Sequence, residues 1–195
     1  MNLNNLNNIN DNPISKRVKE IYSKQSDEVK NKLDNLKTLN YKEYQLKVIK
    51  RSKSIPKIGD VFEIKPNEDT KLYGIVINAP VKNRNGNDLI LIFVMKMNSN
   101  IYDFKFTEDE LLIPPMIVGT EYWSKGYFFN TGEMLSVPSD IDYGFYDIID
   151  KKYVDEYGND IKRIPQILGV MGVSTISGVA YEINKALIIS NAQQS

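Results

Sequence analysis

The segment Leu89-Ile90-Leu91-Ile92-Phe93-Val94-Met95 constrains this chain more than any other, because it contains no polar side chain. Successive residues of a strand point to opposite faces of a sheet. A strand that is apolar at every position has both faces covered and belongs in the centre. The run is far shorter than the roughly 20 apolar residues that span a bilayer. It therefore needs partner strands, and the sequence before it supplies them. Val61, Phe62 and Ile64 are expected to form a short strand after Gly59, ended by Pro66. Leu72 to Ile77 is expected to form a second, ended by Ala79-Pro80. Asn83-Arg84-Asn85-Gly86-Asn87 carries an Asn-Gly turn signal before the apolar run. Residues 60–97 thus read as an antiparallel meander.

Further strands are expected after it. Ile101 to Phe106 alternates aromatic and charged residues and reads as a fourth strand. Thr107 to Glu110 reads as a helical turn, stopped by Pro114-Pro115. Glu121 to Asn130, with the only Trp, and Phe145 to Ile149 read as strands. Tyr157-Gly158-Asn159 marks a turn. Residues 167–176 are apolar and spaced by glycine, which suits a buried strand and turn, and Val179 to Ile189 fits a closing helix.

The pattern before Lys57 is different. Residues 1–12 include seven asparagines and little to bury, as expected of a frayed start. Ile14, Val18, Ile21 and Tyr22 then follow helical spacing. Ser26 suits an N-cap, with Asp27 and Glu28 in the first turn, and Val29, Leu33 and Leu36 continue an apolar stripe. Tyr41 to Lys50 is a third helical stretch, and the polar segment Ser52 to Lys57 marks a boundary. The predicted fold class is α+β: an N-terminal helical arm over 1–57, then a mainly antiparallel twisted sheet and a C-terminal helix over 58–195. Helices this short are marginal alone, so the arm is expected to pack on the body.

Chemistry is narrowed by composition. The chain has no histidine and no cysteine. That excludes disulfides, thiolate zinc sites, cysteine nucleophiles, Ser-His-Asp triads and a proximal-His haem. The net charge is zero, yet residues 1–57 carry 13 Lys/Arg and 6 Asp/Glu, while residues 58–195 carry 12 and 19. A basic arm and an acidic body result. The first basic residue is Lys16, with no apolar targeting segment after it, so a cytoplasmic protein without membrane contact is expected.

Carboxylates cluster at Glu108-Asp109-Glu110, at Asp140, Asp142, Asp147 and Asp150, and at Asp155-Glu156 with Asp160. None has EF-hand spacing. Gly169 to Gly178 lacks the spacing of a phosphate loop and of a nucleophile elbow. Ser54-Ile55-Pro56-Lys57 matches S-x-x-K, but it has a proline inside it and no companion motifs. No catalytic, metal or cofactor residue is therefore assigned. In the aromatic segment, strand alternation puts Tyr127 and Phe129 on the face of Trp123, and Tyr122 and Phe128 on the other. Ordinary core packing is one reading of these rings; the other is that one face serves a partner, since such rings anchor interfaces. The residues expected at a partner surface are Glu108, Asp109, Glu110, Tyr122, Phe128, Asp140 and Asp142.

Several pieces then line up in order: Gly59-Asp60-Val61-Phe62-Glu63-Ile64, Tyr73-Gly74, Leu112-Ile113-Pro114-Pro115, Trp123-Ser124-Lys125-Gly126-Tyr127-Phe128 and Tyr157-Gly158. Together they resemble the immunity protein 26 family of bacterial polymorphic toxin systems, over roughly residues 58–190. The resemblance implies a cytoplasmic protein that binds and neutralises a cognate toxin, without a cofactor. The same grouping takes in proteins described as phosphotriesterases, whose usual binuclear metal site needs histidines that this chain lacks. Two alternatives stay open at this level: a phosphoester hydrolase using a carboxylate-held metal, and a nucleic-acid module using Lys47, Lys50, Arg51, Lys53 and Lys57 of the arm.

Overall fold

A computed structural model describes residues 12–82 and 88–193. The Asn-Gly turn at 83–87, and the asparagine-rich start apart from Asn12, lie outside the described residues. In chain order the helices are α1 Pro13–Ser23, α2 Asp27–Thr38, α3 Tyr41–Tyr44, α4 Glu121–Ser124 and α5 Ile176–Gln193. The strands are β1 Asp60–Ile64, β2 Leu72–Lys82, β3 Asp88–Met95, β4 Leu111–Gly119, β5 Phe128–Met134, β6 Tyr143–Asp147, β7 Lys152–Val154 and β8 Ile167–Val170. The fold is α+β, as its periodicities predict.

The apolar run lies in β3, with β2 on one side and β4 on the other, in a five-stranded sheet of order β4-β3-β2-β1-β5. Each neighbouring pair is antiparallel. Its residues divide by alternation. Ile90, Ile92 and Val94 share a core with Phe62, Trp123 and the α5 residues Val179, Ala180, Ile183 and Leu187. Leu89, Leu91, Phe93 and Met95 share the other core with Phe145, Val154 and Ile167. Those last three belong to a smaller sheet of order β7-β6-β8, in which β6 runs parallel to β8. The main sheet is thus sandwiched between a helix and a second sheet, which is why β3 is apolar from Leu89 to Met95, after the exposed Asp88 that begins it.

Several segments depart from their expected form. Ile101 to Phe106 is a loop that opens with a 3-10 turn at Ile101–Asp103. The Asn100 side chain accepts from the Tyr102 N–H at 3.1 Å, which favours the turn. Phe104 and Phe106 meet edge to face at 5.1 Å over the second core. The strand beside β3 is instead Leu111–Gly119, with both prolines inside it. Proline lacks a donor, but β4 is an edge strand of its sheet, where that loss is tolerated. The 3-10 turn at Glu108–Glu110 matches the expected helical turn. Similarly, β2 runs past Ala79-Pro80, with register shifts between Val76 and Val81.

The arm also differs from expectation. The third helix is short, and residues 45–52 run as an extended strap. Their donors find acceptors in the body: Lys47 N–H to the Lys65 carbonyl (2.8 Å), Ile49 to Gly126 (2.7 Å) and Ser52 to Trp123 (3.0 Å). Leu46 enters the helix-side core. Gly126 lies against this strap. A β-carbon there would come within 2.9 Å of the Arg51 nitrogen, and its φ of +87° suits glycine.

At the C-terminal end, Thr175 accepts from the Gly178 N–H at 3.1 Å and starts α5 earlier than Val179. Gly169 permits close packing, since a β-carbon there would meet the Pro115 carbonyl oxygen at 2.6 Å.

Candidate functional site

The aromatic segment departs most from its expected arrangement, and the cause is local. Glu121 to Ser124 is one helical turn, not strand, and the chain reverses at Gly126 before β5 begins. Helical spacing replaces alternation, so Tyr122, Trp123 and Phe128 converge on Phe62. The Phe128 ring lies 4.7 Å from Phe62, 4.7 Å from Tyr122 and 5.2 Å from Trp123. The Tyr122 hydroxyl donates to the Ser174 carbonyl at 2.8 Å, and Trp123 Nε1 donates to Asn130 Oδ1 at 2.7 Å. Burial pushes the Tyr122 hydroxyl well above the usual tyrosine range. Tyr122 and Phe128 are completely buried. Their place is therefore the core beside Trp123, not a partner-facing surface.

The carboxylates are scattered over distinct places. Glu108, Asp109 and Glu110 form the turn entering β4, where Glu108 pairs with Arg17 of α1. Asp140 is exposed. Asp142 pairs with Arg163 at 2.5 Å and accepts from the Gln166 N–H at 3.3 Å, so it holds the segment that leads into β8. Lys152 joins Asp150 (3.5 Å) to Asp160 (2.7 Å). Among the described residues, no group of three or more carboxylates is arranged to hold a metal ion. The basic strap is partly engaged: Lys47 pairs with Glu68 at 3.4 Å, and Lys50 lies 5.4 Å from the Phe129 ring centre.

Two recesses stand out. The larger, about 1070 Å³, lies between α1, β4 and α5. Ile14, Val18 and Ile21 wall one side, Pro114 and Met116 the floor, and Ile189 the far end. The Arg17–Glu108 pair ties α1 to the mouth of β4. The smaller, about 330 Å³, lies at the other end of β4, between Ile117 and the turns of the second sheet. Met116 lines the larger recess and its neighbour Ile117 the smaller, and the two side chains pack on opposite faces of the main sheet.

In the smaller recess, the Asp147 carboxylate accepts from the Ile149 and Asp150 N–H groups at 2.9 and 3.1 Å. The Asp155 carboxylate accepts from Tyr157 and Asn159 at 2.9 and 2.8 Å. Glu156 accepts from Tyr143 and Asn78, both at 2.7 Å. Burial and the Glu156 carboxylate push the Tyr143 hydroxyl well above its ordinary value. Asp147, Asp150 and Glu156 stood out in the sequence by charge alone. Ile149, between two of those acids, did not, because a single apolar residue in a turn carries no periodic signal.

The fold and its recesses define an α+β protein whose apolar hollows are edged with charge. The family model described as Immunity protein 26 matches residues 57–167, and the chain belongs to that family. The match runs from Lys57, shortly before β1, to the first residue of β8. It leaves out α1, α2, α3 and α5. Comparison with curated proteins and with solved structures finds no match. Among the described residues, no helix is long and apolar enough to cross a membrane.

Proposed function

We propose that this chain is a bacterial immunity protein that neutralises a cognate toxin by binding it one to one and covering its working surface. Membership of the immunity protein 26 family carries the reading. Two features support it. The family segment has a rigid double core, with β3 buried on both faces. Its turns also present acidic side chains that favour a basic partner through complementary charge. Catalysis has no role in this mechanism; the inhibitor works by staying bound.

The test is co-expression with the toxin domain encoded by the neighbouring gene. Growth should be rescued, the two proteins should co-purify, and light scattering should give a 1:1 mass. A paraoxon-type phosphotriester should show no turnover with Zn²⁺ or Mn²⁺. Rescue without a complex, or metal-dependent turnover lost on carboxylate substitution, would overturn the proposal.

A further inference from the structure

The smaller recess is bordered by exposed apolar side chains on three separate segments. Ile149 is 90 % exposed, Tyr157 51 % and Val173 50 %. All three line the same hollow. A lone exposed aliphatic residue is ordinary, but several around one hollow make a patch that costs solubility unless something covers it. These side chains also stand on fixed supports. Ile149 rides on the turn capped by Asp147. Tyr157 rides on the turn capped by Asp155, and its hydroxyl accepts from Asn78 at 2.9 Å. Val173 is bridged to Ile117 of β4. A surface ordered before binding loses little entropy when a partner arrives.

Charge selects the partner. Asp147, Asp150 and Glu156 line the same hollow; among the described residues that line it the one cation is Lys82, and Lys152 pairs with Asp150 at 3.5 Å from outside the lining. A recess of this size admits a side chain or two, with apolar walls and an acidic edge. Long cationic side chains suit such a site: the methylene stem packs on apolar surface while the charged head stays near carboxylates. Tyr157 adds an aromatic face for a cation.

We infer that this hollow, walled by Ile149, Tyr157 and Val173 and edged by Asp147, Asp150 and Glu156, receives a lysine or arginine from a basic surface of the toxin. The inference rests on the immunity reading above and locates its interface. The larger groove beneath α1 takes no part in that contact.

Binding of the inactivated toxin domain, encoded by the neighbouring gene, to the full chain is measured by titration calorimetry at two salt concentrations. Ile149→Ser, Tyr157→Ala and Asp150→Lys are compared with Val18→Asp at the larger groove. Each of the first three should weaken binding at least tenfold with an unchanged melting temperature. Asp150→Lys should also flatten the salt dependence, and Val18→Asp should bind like wild type. If wild type binds and the three variants bind equally well, or if only Val18→Asp weakens binding, this interface is wrong while the immunity reading stands. If wild type neither binds nor protects, that reading falls and this interface with it.

Discussion

Helices α1 and α2 follow one another in the chain, and both carry an apolar stripe, yet they meet different fates. In α2, Val29, Leu33 and Leu36 are buried and the helix packs on α5. In α1 no residue is buried; Val18 is 46 % exposed and Ile21 37 %. Its links include the Arg17–Glu108 pair, a hydrogen bond from the Tyr22 hydroxyl to Asp34 of α2 at 2.7 Å, and Lys37 of α2 at 5.1 Å from the Tyr22 ring centre. Amphipathic spacing predicts that a helix forms and which face is apolar. It does not fix how closely that face meets anything. The opposite charges of arm and body make little direct contact: among the described residues, most ion pairs of the arm lie within its own helices, such as Lys24–Glu20 and Lys32–Glu28.

Substitutions can test this contrast, beginning with a reference in the body. Trp123→Ala should lower stability by about 3–5 kcal/mol, because a fully packed aromatic ring leaves a cavity. Denaturant melts measure it, and an unchanged midpoint would show that the core of the family segment does not depend on that ring. Leu33→Ala comes next. If α2 belongs to the same cooperative unit, it should cost about 2–4 kcal/mol in the same transition. A separate early transition would instead divide α2 from the body.

Effects on α1 should be small. Val18→Ala should stay within about 0.5 kcal/mol, since the side chain is nearly half in water. A larger loss in thermal melts would mean that α1 closes down on its groove in solution. Acid should give the smallest effect. Hydrogen bonds from Lys37 first, then from Tyr22, hold the Asp34 carboxyl below its usual range. A depressed native pKa contributes stability above the ordinary carboxylate range, and that contribution is lost as pH falls through the native value. Below about pH 4, NMR signals of Tyr22 and Val18 should therefore shift before those of Leu33. Simultaneous shifts would show that both helices release together.

The aromatic segment shows where local pattern fails. Tyr122 and Phe128 lie on opposite sides of Gly126, and alternation places them on a surface. A single helical turn and a reversal fold them into the core instead. Neither feature has a periodic signature, because each is too short. The strap from Gln45 fails for a related reason: its apolar spacing suits a helix, but body carbonyls offer its donors an extended alternative.

By itself the sequence determined the centre of the sheet, the change from helical to alternating pattern, the closing helix and the exclusion of histidine and cysteine chemistry. These rest on composition and near-neighbour periodicity, which are local properties. Only the tertiary structure decided that Pro114-Pro115 lie in an edge strand, that α2 is buried while α1 flanks a groove, and that Ile149, Tyr157 and Val173 border one hollow. Those outcomes depend on contacts between segments distant in sequence. Each segment's own pattern shows what it can bury, but not what it will be buried against.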